Sequence, residues 1–264
     1  MNIPTQRRNL ISFWSLTSLI LIILIIRVLT LSSNELSWDV FGYYLYLPSA
    51  FIHHDPFLSN IDWMKELVAQ HQISGTLYQV SMGPKGVFVY FYLMGMSLLY
   101  LPFFLTGHIT AVITDVPTDG FSLPYQYSLA LGFVLYSFIG LWFFRKILLE
   151  YFSDKLTAII LVIIVLGTNF LQYATVKNLE QTNALFNLLA IITWFTIKWH
   201  KKQKLRYLIF ISLSCSLMVL VKPSEIFCYL IPLLWGVFNR SSLQEKIRLL
   251  VQNKKQLILQ HLQD

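Results

Sequence analysis

The sequence is short of charge. Asp, Glu, Lys and Arg make up 12% of the 264 residues, whereas a soluble domain typically carries about 25%. Hydrophobic residues make up 56% of the chain and aromatic residues 16%. This composition excludes an ordinary soluble domain and predicts an integral membrane protein.

Other scarcities exclude further classes. The two cysteines, Cys215 and Cys228, lie in apolar runs without metal-ligand spacing and are interpreted as small buried hydrophobes. The net charge of +7 does not indicate nucleic acid, because the cations stand at the ends of apolar runs, where topology and anionic lipid account for them. The apolar run from Leu10 to Leu31 is too long for a signal peptide and has no small-residue cleavage site, so it predicts a retained first helix.

The cations that are present follow an order along the chain. Fifteen of the 20 Lys and Arg residues fall in four clusters. The clusters are Arg7/Arg8, Arg145/Lys146/Lys155, Lys198 through Arg206, and Arg240 through Lys255. Because cytoplasmic loops retain Lys and Arg, the clusters predict one side of a membrane and leave the other five cations on or near the outer side.

Seven apolar spans are candidates for crossing a bilayer, which takes about 20 residues. They cover approximately residues 10–32, 84–114, 124–144, 156–176, 182–199, 205–221 and 225–239. Seven crossings would place the cluster at Arg145 outside, so we expect about six, with span 84–114 lying along the outer face. The predicted fold class is therefore an all-α membrane protein with about six transmembrane helices and outer-face juxtamembrane helices.

This topology divides the chain into two parts. Residues 1–239 are predicted to form the transmembrane module, with a long outer loop over residues 33–123, and loops of that length are usually functional. Residues 61–72 within the loop predict a short helix. Residues 240–264 have apolar positions at helical spacing among their cations and predict an amphipathic tail on the cytoplasmic surface.

Two residues of the outer loop are candidates for chemistry. Asp39 lies among aromatic residues just beyond the first span, where low dielectric can raise the basicity of a carboxylate; a helix cap or a solvated acid is the alternative. Lys85 stands between Gly83-Pro84 and Gly86, where small neighbours admit a phosphate; a cation that only snorkels at the interface is the alternative.

Two pairs of charges flank short outer turns. Lys177 with Glu180, and Lys222 with Glu225, either form surface ion pairs of little energy or converge on the face that carries the long loop. The run His53-His54-Asp55 does not favour a metal site, because it lacks a third clear ligand.

The motifs in this order resemble a known family. They are Trp38-Asp39-Val40-Phe41-Gly42-Tyr43-Tyr44-Leu45-Tyr46-Leu47-Pro48, Pro84-Lys85-Gly86, Asp119-Gly120-Phe121-Ser122, Gly167-Thr168-Asn169 through Glu180, and Lys222-Pro223-Ser224. Together with the spans, they resemble the N-terminal module of the GT-C type membrane glycosyltransferases, which include dolichyl-phosphate-mannose protein mannosyltransferases and lipid A aminoarabinose transferases.

The resemblance implies roles for particular residues. Asp39 matches the catalytic base, and Lys85 matches a cation that contacts the lipid phosphate. Lys222 stands where family members often carry Arg and is a second phosphate candidate. The expected supporting residues are Tyr43, Tyr44, Lys177, Glu180 and Glu225. Family members usually continue into further crossings and an outer soluble domain, so this chain is expected to be either a truncated product or a half that requires a C-terminal partner segment.

The implied function is transfer of a sugar from a polyprenyl-phosphate donor to a glycan, lipid or protein acceptor at the outer face of the cell (inner) membrane. We expect no metal or other cofactor, since two cations can replace a divalent ion at the leaving phosphate. The alternative is a non-catalytic membrane protein, either a transporter or flippase or an inactive transferase fragment that acts as a scaffold. A transporter is expected to carry ionisable residues at mid-membrane, and the apolar spans are almost free of them.

Overall fold

A computed structural model describes residues 9–71 and 73–248. The chain is mostly helical, with one small antiparallel hairpin. The elements are α1 (Leu10–Leu29), α2 (Trp38–Tyr44), α3 (Tyr46–Phe51), α4 (Asp62–His71), β1 (Val80–Met82), β2 (Phe88–Tyr90), α5 (Gly95–Ile113), α6 (Leu123–Leu149), α7 (Asp154–Gly167), α8 (Phe170–Ala174), α9 (Gln181–Lys201), α10 (Leu205–Val221), a 3-10 helix (Pro223–Tyr229) and α11 (Leu230–Leu234). Residues 240–248 are also helical.

The all-α expectation is confirmed for the bulk of the chain. By length and composition, three helices in the described residues could each cross a membrane, namely α1, α5 and α6. Helix α10 and the apolar stretch Pro223–Leu234 are shorter. The predicted span 156–176 is divided, because the helix ends at Gly167 and Thr168 adopts an extended backbone before α8 begins. The number of crossings therefore stays a prediction.

The predicted short helix over 61–72 is confirmed as α4. In the predicted tail, 240–264, residues 240–248 are helical, whereas residues 249–264 lie outside the described residues. The described part is attached to the bundle by Lys246, a buried residue whose ammonium donates to the carbonyl oxygen of Pro232 at 2.8 Å and contacts His200.

One end of the helix bundle collects the cations. Arg145, near the end of α6, donates to the hydroxyl of Ser12 at 2.8 Å and to the carbonyl oxygen of Asn9 at 2.7 Å. Glu150 accepts from Lys198 at 2.8 Å and also pairs with Lys201 at the end of α9. We call this the basic end. Among the described residues, it brings together members of three of the four cation clusters that the sequence places on one side. They are Arg145, Lys198 with Lys201, and Lys246.

The opposite end carries the connections over residues 30–122, and we call it the loop end. Here the backbone N–H of Glu35 donates to the side chain of Gln126 at 2.7 Å. The side chain of Asn178 donates to the carbonyl oxygen of Ala130 at 2.6 Å. These contacts join the connection after α1, the start of α6 and the connection before α9. Three chain segments that are distant in sequence therefore meet at the loop end.

Helix α5 begins and ends at the loop end. A side chain at Gly95, its first residue, would meet the backbone of Leu220 and Val221, the last residues of α10. A side chain at Gly107 would meet the backbone of Tyr125, in the first turn of α6. Along α6, the hydroxyl of Tyr136 donates to the carbonyl oxygen of Leu99 at 3.0 Å, so α5 packs antiparallel along the first half of α6 and does not reach the basic end.

The prediction that a helix begins at residue 84 is wrong for residues 84–94, because α5 begins at Gly95. Residues Gly83-Pro84-Lys85-Gly86 form the turn of the hairpin, closed by a hydrogen bond from Gly86 N to Gly83 O of 3.0 Å. Gly86 has a φ of +71°, in the left-handed region that this turn requires. The β-branched and aromatic residues on either side favour strands over a helix. Lys85 thus stands at the tip of a hairpin, and α5 begins only at Gly95.

Candidate functional site

A cavity of about 490 Å³ opens at the loop end. Three segments line it: the connection from α1 into α2, Tyr78 two residues before β1, and the connection that precedes α9. The lining residues are Thr30, Ser32, Asn34, Glu35, Ser37, Trp38, Asp39, Val40, Tyr78, Val176, Lys177, Leu179 and Glu180. The cavity therefore contains two of the acids and one of the cations that the sequence analysis selects.

Asp39 lies in the first turn of α2 and is held by two tyrosines. Its Oδ1 accepts a hydrogen bond of 2.6 Å from the Tyr78 hydroxyl and one of 2.7 Å from the Tyr92 hydroxyl. Its Oδ2 makes no hydrogen bond within the part of the chain that the structure describes. We call Tyr78 and Tyr92 the tyrosine clamp. The clamp fixes one oxygen of the carboxylate and leaves the other available to a ligand in the cavity.

The hairpin supplies both tyrosines because it brings its two ends together. In the antiparallel register Val80 pairs with Tyr90, so Tyr78 and Tyr92 flank the base of the hairpin on opposite strands. The hairpin is anchored by Tyr90, whose hydroxyl donates to Ser49 at 2.8 Å. Sequence reasoning missed the clamp. The signal that could have found it is the placement of Tyr78 and Tyr92 at nearly equal distances from the Gly-Pro-Lys-Gly turn.

The backbone around Asp39 is unusual in two places. Trp38 has a φ of +53°, a conformation that is uncommon outside glycine and concentrates at functional sites. Its N–H donates to Ile73 O at 3.0 Å and its carbonyl oxygen accepts from the Gln79 side chain at 3.0 Å, which holds it in place. At Gly42, an added Cβ would lie 2.5 Å from the ring of Tyr92. Glycine is thus required there for the clamp to reach Asp39.

The phenols of this site are protonated over the ordinary pH range. Burial, followed by the hydrogen bond to Asp39 and its charge, raises the pKa of Tyr78 to about 12. The same causes raise the pKa of Tyr92 well above its usual range. Burial, with the charges of Asp39 and Glu180, also raises the pKa of Tyr43, whose ring packs edge-on against Tyr92 with centroids 4.5 Å apart. The clamp therefore always donates to the carboxylate, and Tyr43 supports it.

Glu180 and Lys177 line the cavity from the connection that precedes α9. Glu180 is the residue before α9, and its N–H donates to the carbonyl oxygen of Lys177 at 3.0 Å. Burial, and then the charge of Asp39, raise the pKa of Glu180, while the Lys177 charge opposes them. The side chains of these two residues form no ion pair within 4.0 Å among those described. Among the described residues, Lys177 is therefore an exposed cation of the cavity lining that pairs with no carboxylate.

Five of the predicted site residues do not line this cavity: Lys85, Lys222, Tyr43, Tyr44 and Glu225. Lys85 is exposed at the hairpin tip. The length of extended strand between the tip and the clamp puts the two roughly 15–20 Å apart. Lys222 pairs with Glu225 at 3.5 Å, and the Lys222 side chain is 49% exposed, so the surface ion pair is the interpretation that this geometry favours. Tyr44 is fully buried and donates to the carbonyl oxygen of Gly120, which is a packing role.

Acids and histidines elsewhere in the loop are engaged in local structure. The Asp55 carboxylate accepts from the N–H groups of Ser59 and Asn60 at 2.9 Å each, and His53 stacks on Trp63 with centroids 3.9 Å apart. No group of three or more His, Cys, Asp or Glu residues with metal-binding geometry occurs in residues 9–71 and 73–248.

A buried ion pair lies behind the cavity and was also missed. Arg27 and Glu35 form a salt bridge, with their side chains 1% and 7% exposed. Glu35 Oε1 accepts from the N–H of Ser32 at 2.8 Å. Ser32 and Glu35 line the cavity. The pair ties the end of α1 to the connection that leads to Asp39. Arg27 is one of the five cations that the sequence places on or near the outer side, but its pairing with Glu35 was not predicted.

Comparison with protein families gives a match over the second half of the chain. The family described as dolichyl-phosphate-mannose-protein mannosyltransferase matches residues 122–253, half of the chain. The chain belongs to this family. The mannosyltransferase family is one of membrane glycosyltransferases of GT-C type, which confirms the resemblance seen in the sequence motifs. No curated protein and no solved structure matches the chain.

The match to the mannosyltransferase family begins at α6. It includes Lys177, Glu180 and Lys222, whereas Asp39 and the hairpin lie before it. The role of Asp39 therefore depends on the geometry of the cavity and on its own motif. The roles of all the candidate residues stay predictions.

Proposed function

We propose that this protein transfers a sugar from a polyprenyl-phosphate donor to a hydroxyl-bearing acceptor, with Asp39 as the general base. One observation carries the proposal: the Asp39 carboxylate is fixed at Oδ1 by the clamp, while Oδ2 has no partner among the described residues and belongs to a cavity that can admit a sugar. A general base needs this combination of fixed position and free acceptor.

The reaction is a displacement at the anomeric carbon of the sugar. The acceptor oxygen attacks that carbon while its proton passes to Oδ2 of Asp39. The bond between the anomeric carbon and the phosphate oxygen breaks, and the polyprenyl phosphate leaves with the electron pair. The clamp holds the carboxylate in line throughout, because its two phenols remain protonated donors.

The leaving phosphate needs positive charge close to it. Of the predicted cations, Lys177 lines the cavity, whereas Lys85 and Lys222 do not. We assign Lys177 the principal role in stabilising the leaving phosphate. Lys85 and Lys222 are the candidates that the family resemblance implies, and they are tested beside it. The proposed step uses no metal ion, because a cation placed at the departing phosphate can provide the same electrostatic stabilisation.

The position of the cavity fits the outer face of the membrane. The basic end gathers the Lys and Arg clusters, which favours the cytoplasmic side for that end. The Asp39 cavity lies at the other end, and α5 packs along the half of α6 that belongs to that end. The proposed topology is multi-pass, with about six crossings and α5 as a juxtamembrane helix.

The test compares Asp39→Asn with Asp62→Asn in protein reconstituted into vesicles. Asp62 is a matched control, since it is an exposed acid of the same loop in an ordinary ion pair with Lys65. With dolichyl-phosphate mannose as the donor and a panel of hydroxyl acceptors, we expect Asp39→Asn to lose roughly 10²–10⁴-fold in rate and Asp62→Asn to retain it. Equal rates for Asp39→Asn and the unmodified protein would remove Asp39 from the reaction.

Donor binding is measured separately with a polyprenyl phosphate. Lys177→Met is expected to weaken binding by roughly ten- to a hundred-fold, because a charge-assisted hydrogen bond contributes about 1.5–3 kcal/mol. Lys85→Met and Lys222→Met are expected to have smaller effects. A larger loss at Lys85 or Lys222 than at Lys177 would return the phosphate to the site that the family resemblance implies.

A further inference from the structure

The hairpin that supplies the clamp has a second face, and that face is apolar and exposed. Val87, Val89 and Phe91 alternate along the second strand and its continuation, with exposed fractions of 52%, 45% and 65%. Phe88 and Tyr90 alternate with them along the strand, and both of these residues and Tyr92 pack against the core. We call Val87, Val89 and Phe91 the apolar row.

We propose that the apolar row is a membrane-contact surface, which rests on the lipid headgroup and upper acyl region beside the loop end. A two-stranded hairpin is marginally stable alone, and an exposed apolar strand face invites aggregation unless something covers it. The question is therefore what covers the row in the native protein.

The charge of the surrounding sequence favours lipid as the covering partner. Residues 73–114 contain no Asp or Glu, and Lys85 is their only Lys or Arg. Lys85 stands at the hairpin tip, exposed and without an ion-pair partner in the described residues. A lone ammonium above an apolar row suits the phosphate layer of a bilayer, where long cationic side chains extend to the interface.

Continuity with α5 supports the same partner. The row leads through Leu93 and Met94 into α5, and these two residues are 45% and 43% exposed. Helix α5 is apolar enough to be a candidate membrane helix and exposes Leu98 and Ile109. The hairpin and the helix together therefore present one extended apolar surface. Because the strand edges keep unpaired backbone groups, the hairpin belongs in the interfacial layer and not in the hydrocarbon core.

This contact has a consequence for the cavity. Phe91 of the row directly follows β2, and its ring packs edge-on against the ring of Tyr92 of the clamp, with centroids 5.0 Å apart. Lipid that covers the row would hold the clamp, and with it Asp39, at the depth of the headgroups, where the phosphate of a lipid-linked donor lies.

Site-specific labelling tests the membrane contact directly. In the full chain with Cys215→Ala and Cys228→Ala, an environment-sensitive fluorophore is attached at Val89→Cys or, in a second variant, at Phe91→Cys. Lys65→Cys, on the exposed face of α4, is the matched control. The proteins are reconstituted into phosphatidylcholine vesicles with or without brominated acyl chains, and iodide is the aqueous quencher.

We expect labels at Val89 and Phe91 to emit at shorter wavelength than the label at Lys65, to be quenched by brominated lipid and to be shielded from iodide. Labels in the row that respond to iodide as the Lys65 label does would overturn the proposal, since the row would then face water. Shielding from both quenchers would overturn it too, because a protein surface would then cover the row. The measurement does not depend on turnover, so failure of the sugar-transfer proposal would leave its outcome unchanged.

Discussion

The tyrosine clamp leads to the most informative prediction, because it links one oxygen atom of Asp39 to two residues 39 and 53 positions away in the chain. Replacing Tyr78 or Tyr92 with Phe removes a hydroxyl and leaves the ring. Each hydroxyl donates to the same oxygen, so a single substitution leaves the carboxylate held by the other. The double substitution frees it to rotate.

The magnitude follows from the strength and the exposure of these bonds. A hydrogen bond to a charged group contributes about 1.5–3 kcal/mol, and the lower value suits a site that is open to a cavity. We therefore expect up to about a tenfold loss of kcat/KM for each single variant and about 10²-fold for the pair, since 1.4 kcal/mol is a factor of ten. The larger single effect is expected at Tyr92, because 37% of Tyr78 is exposed.

The assay is sugar transfer by reconstituted protein, with Tyr90→Phe as the control. Tyr90 belongs to the same hairpin, and its hydroxyl bonds to Ser49 and not to Asp39. We expect Tyr90→Phe to lower thermal stability slightly and to keep kcat/KM. If it lowered kcat/KM as much as the clamp variants, the effect would come from hairpin folding. If the double clamp variant kept full activity, the clamp would have no part in catalysis.

Three further predictions test the surroundings of the site. Gly42→Ala should sharply reduce the rate of sugar transfer, because the added Cβ would displace the ring of Tyr92. Gly75→Ala is the control and should keep the rate, because no atom lies within 4 Å of its added Cβ. The raised pKa of Glu180 means that folding favours its protonated form, so its stabilising effect is complete below the ordinary value of 4.5 and is lost as pH rises through the raised pKa. Glu180→Gln should therefore flatten the fall of Tm with rising pH, and an unchanged profile would contradict the assignment. Arg27→Met should lower the free energy of unfolding by about 3–5 kcal/mol, because it leaves the buried carboxylate of Glu35 unpaired. Lys65→Met, which breaks an exposed pair, should lower it by less than about 1 kcal/mol. Similar losses for the two variants in denaturant titrations would refute the role of the buried pair.

Much of the architecture could be predicted from local pattern. Low charge and long apolar runs determine the membrane class, because a bilayer imposes a length and a polarity on each segment. The cation clusters predict a common end, and the structure gathers Arg145, Lys198 and Lys246 there. Helix α4 follows from its own sequence. These features depend on residues close together in the chain, so one sequence is enough to predict them.

The hairpin marks where local pattern failed. A run dense in Phe, Tyr and Val beside Gly and Pro is compatible with both an interfacial helix and a strand, and hydropathy does not distinguish them. The segment after residue 84 was therefore predicted as a helix. Pairing of β2 with β1 selects the strand, since it supplies hydrogen-bond partners to the backbone N–H and C=O groups on both sides of the turn.

The site itself divides in the same way. The sequence by itself determined that Asp39 is a candidate base, because an acid among aromatic residues beside an apolar helix is visible in one short motif. Only the tertiary structure decided that Tyr78 and Tyr92 hold it, that Lys177 lines its cavity, and that Lys85 stands at a distant hairpin tip. The physical reason is that hydrogen bonds and charges act over a few ångströms in space, and distance in space between residues far apart in the chain is set by packing.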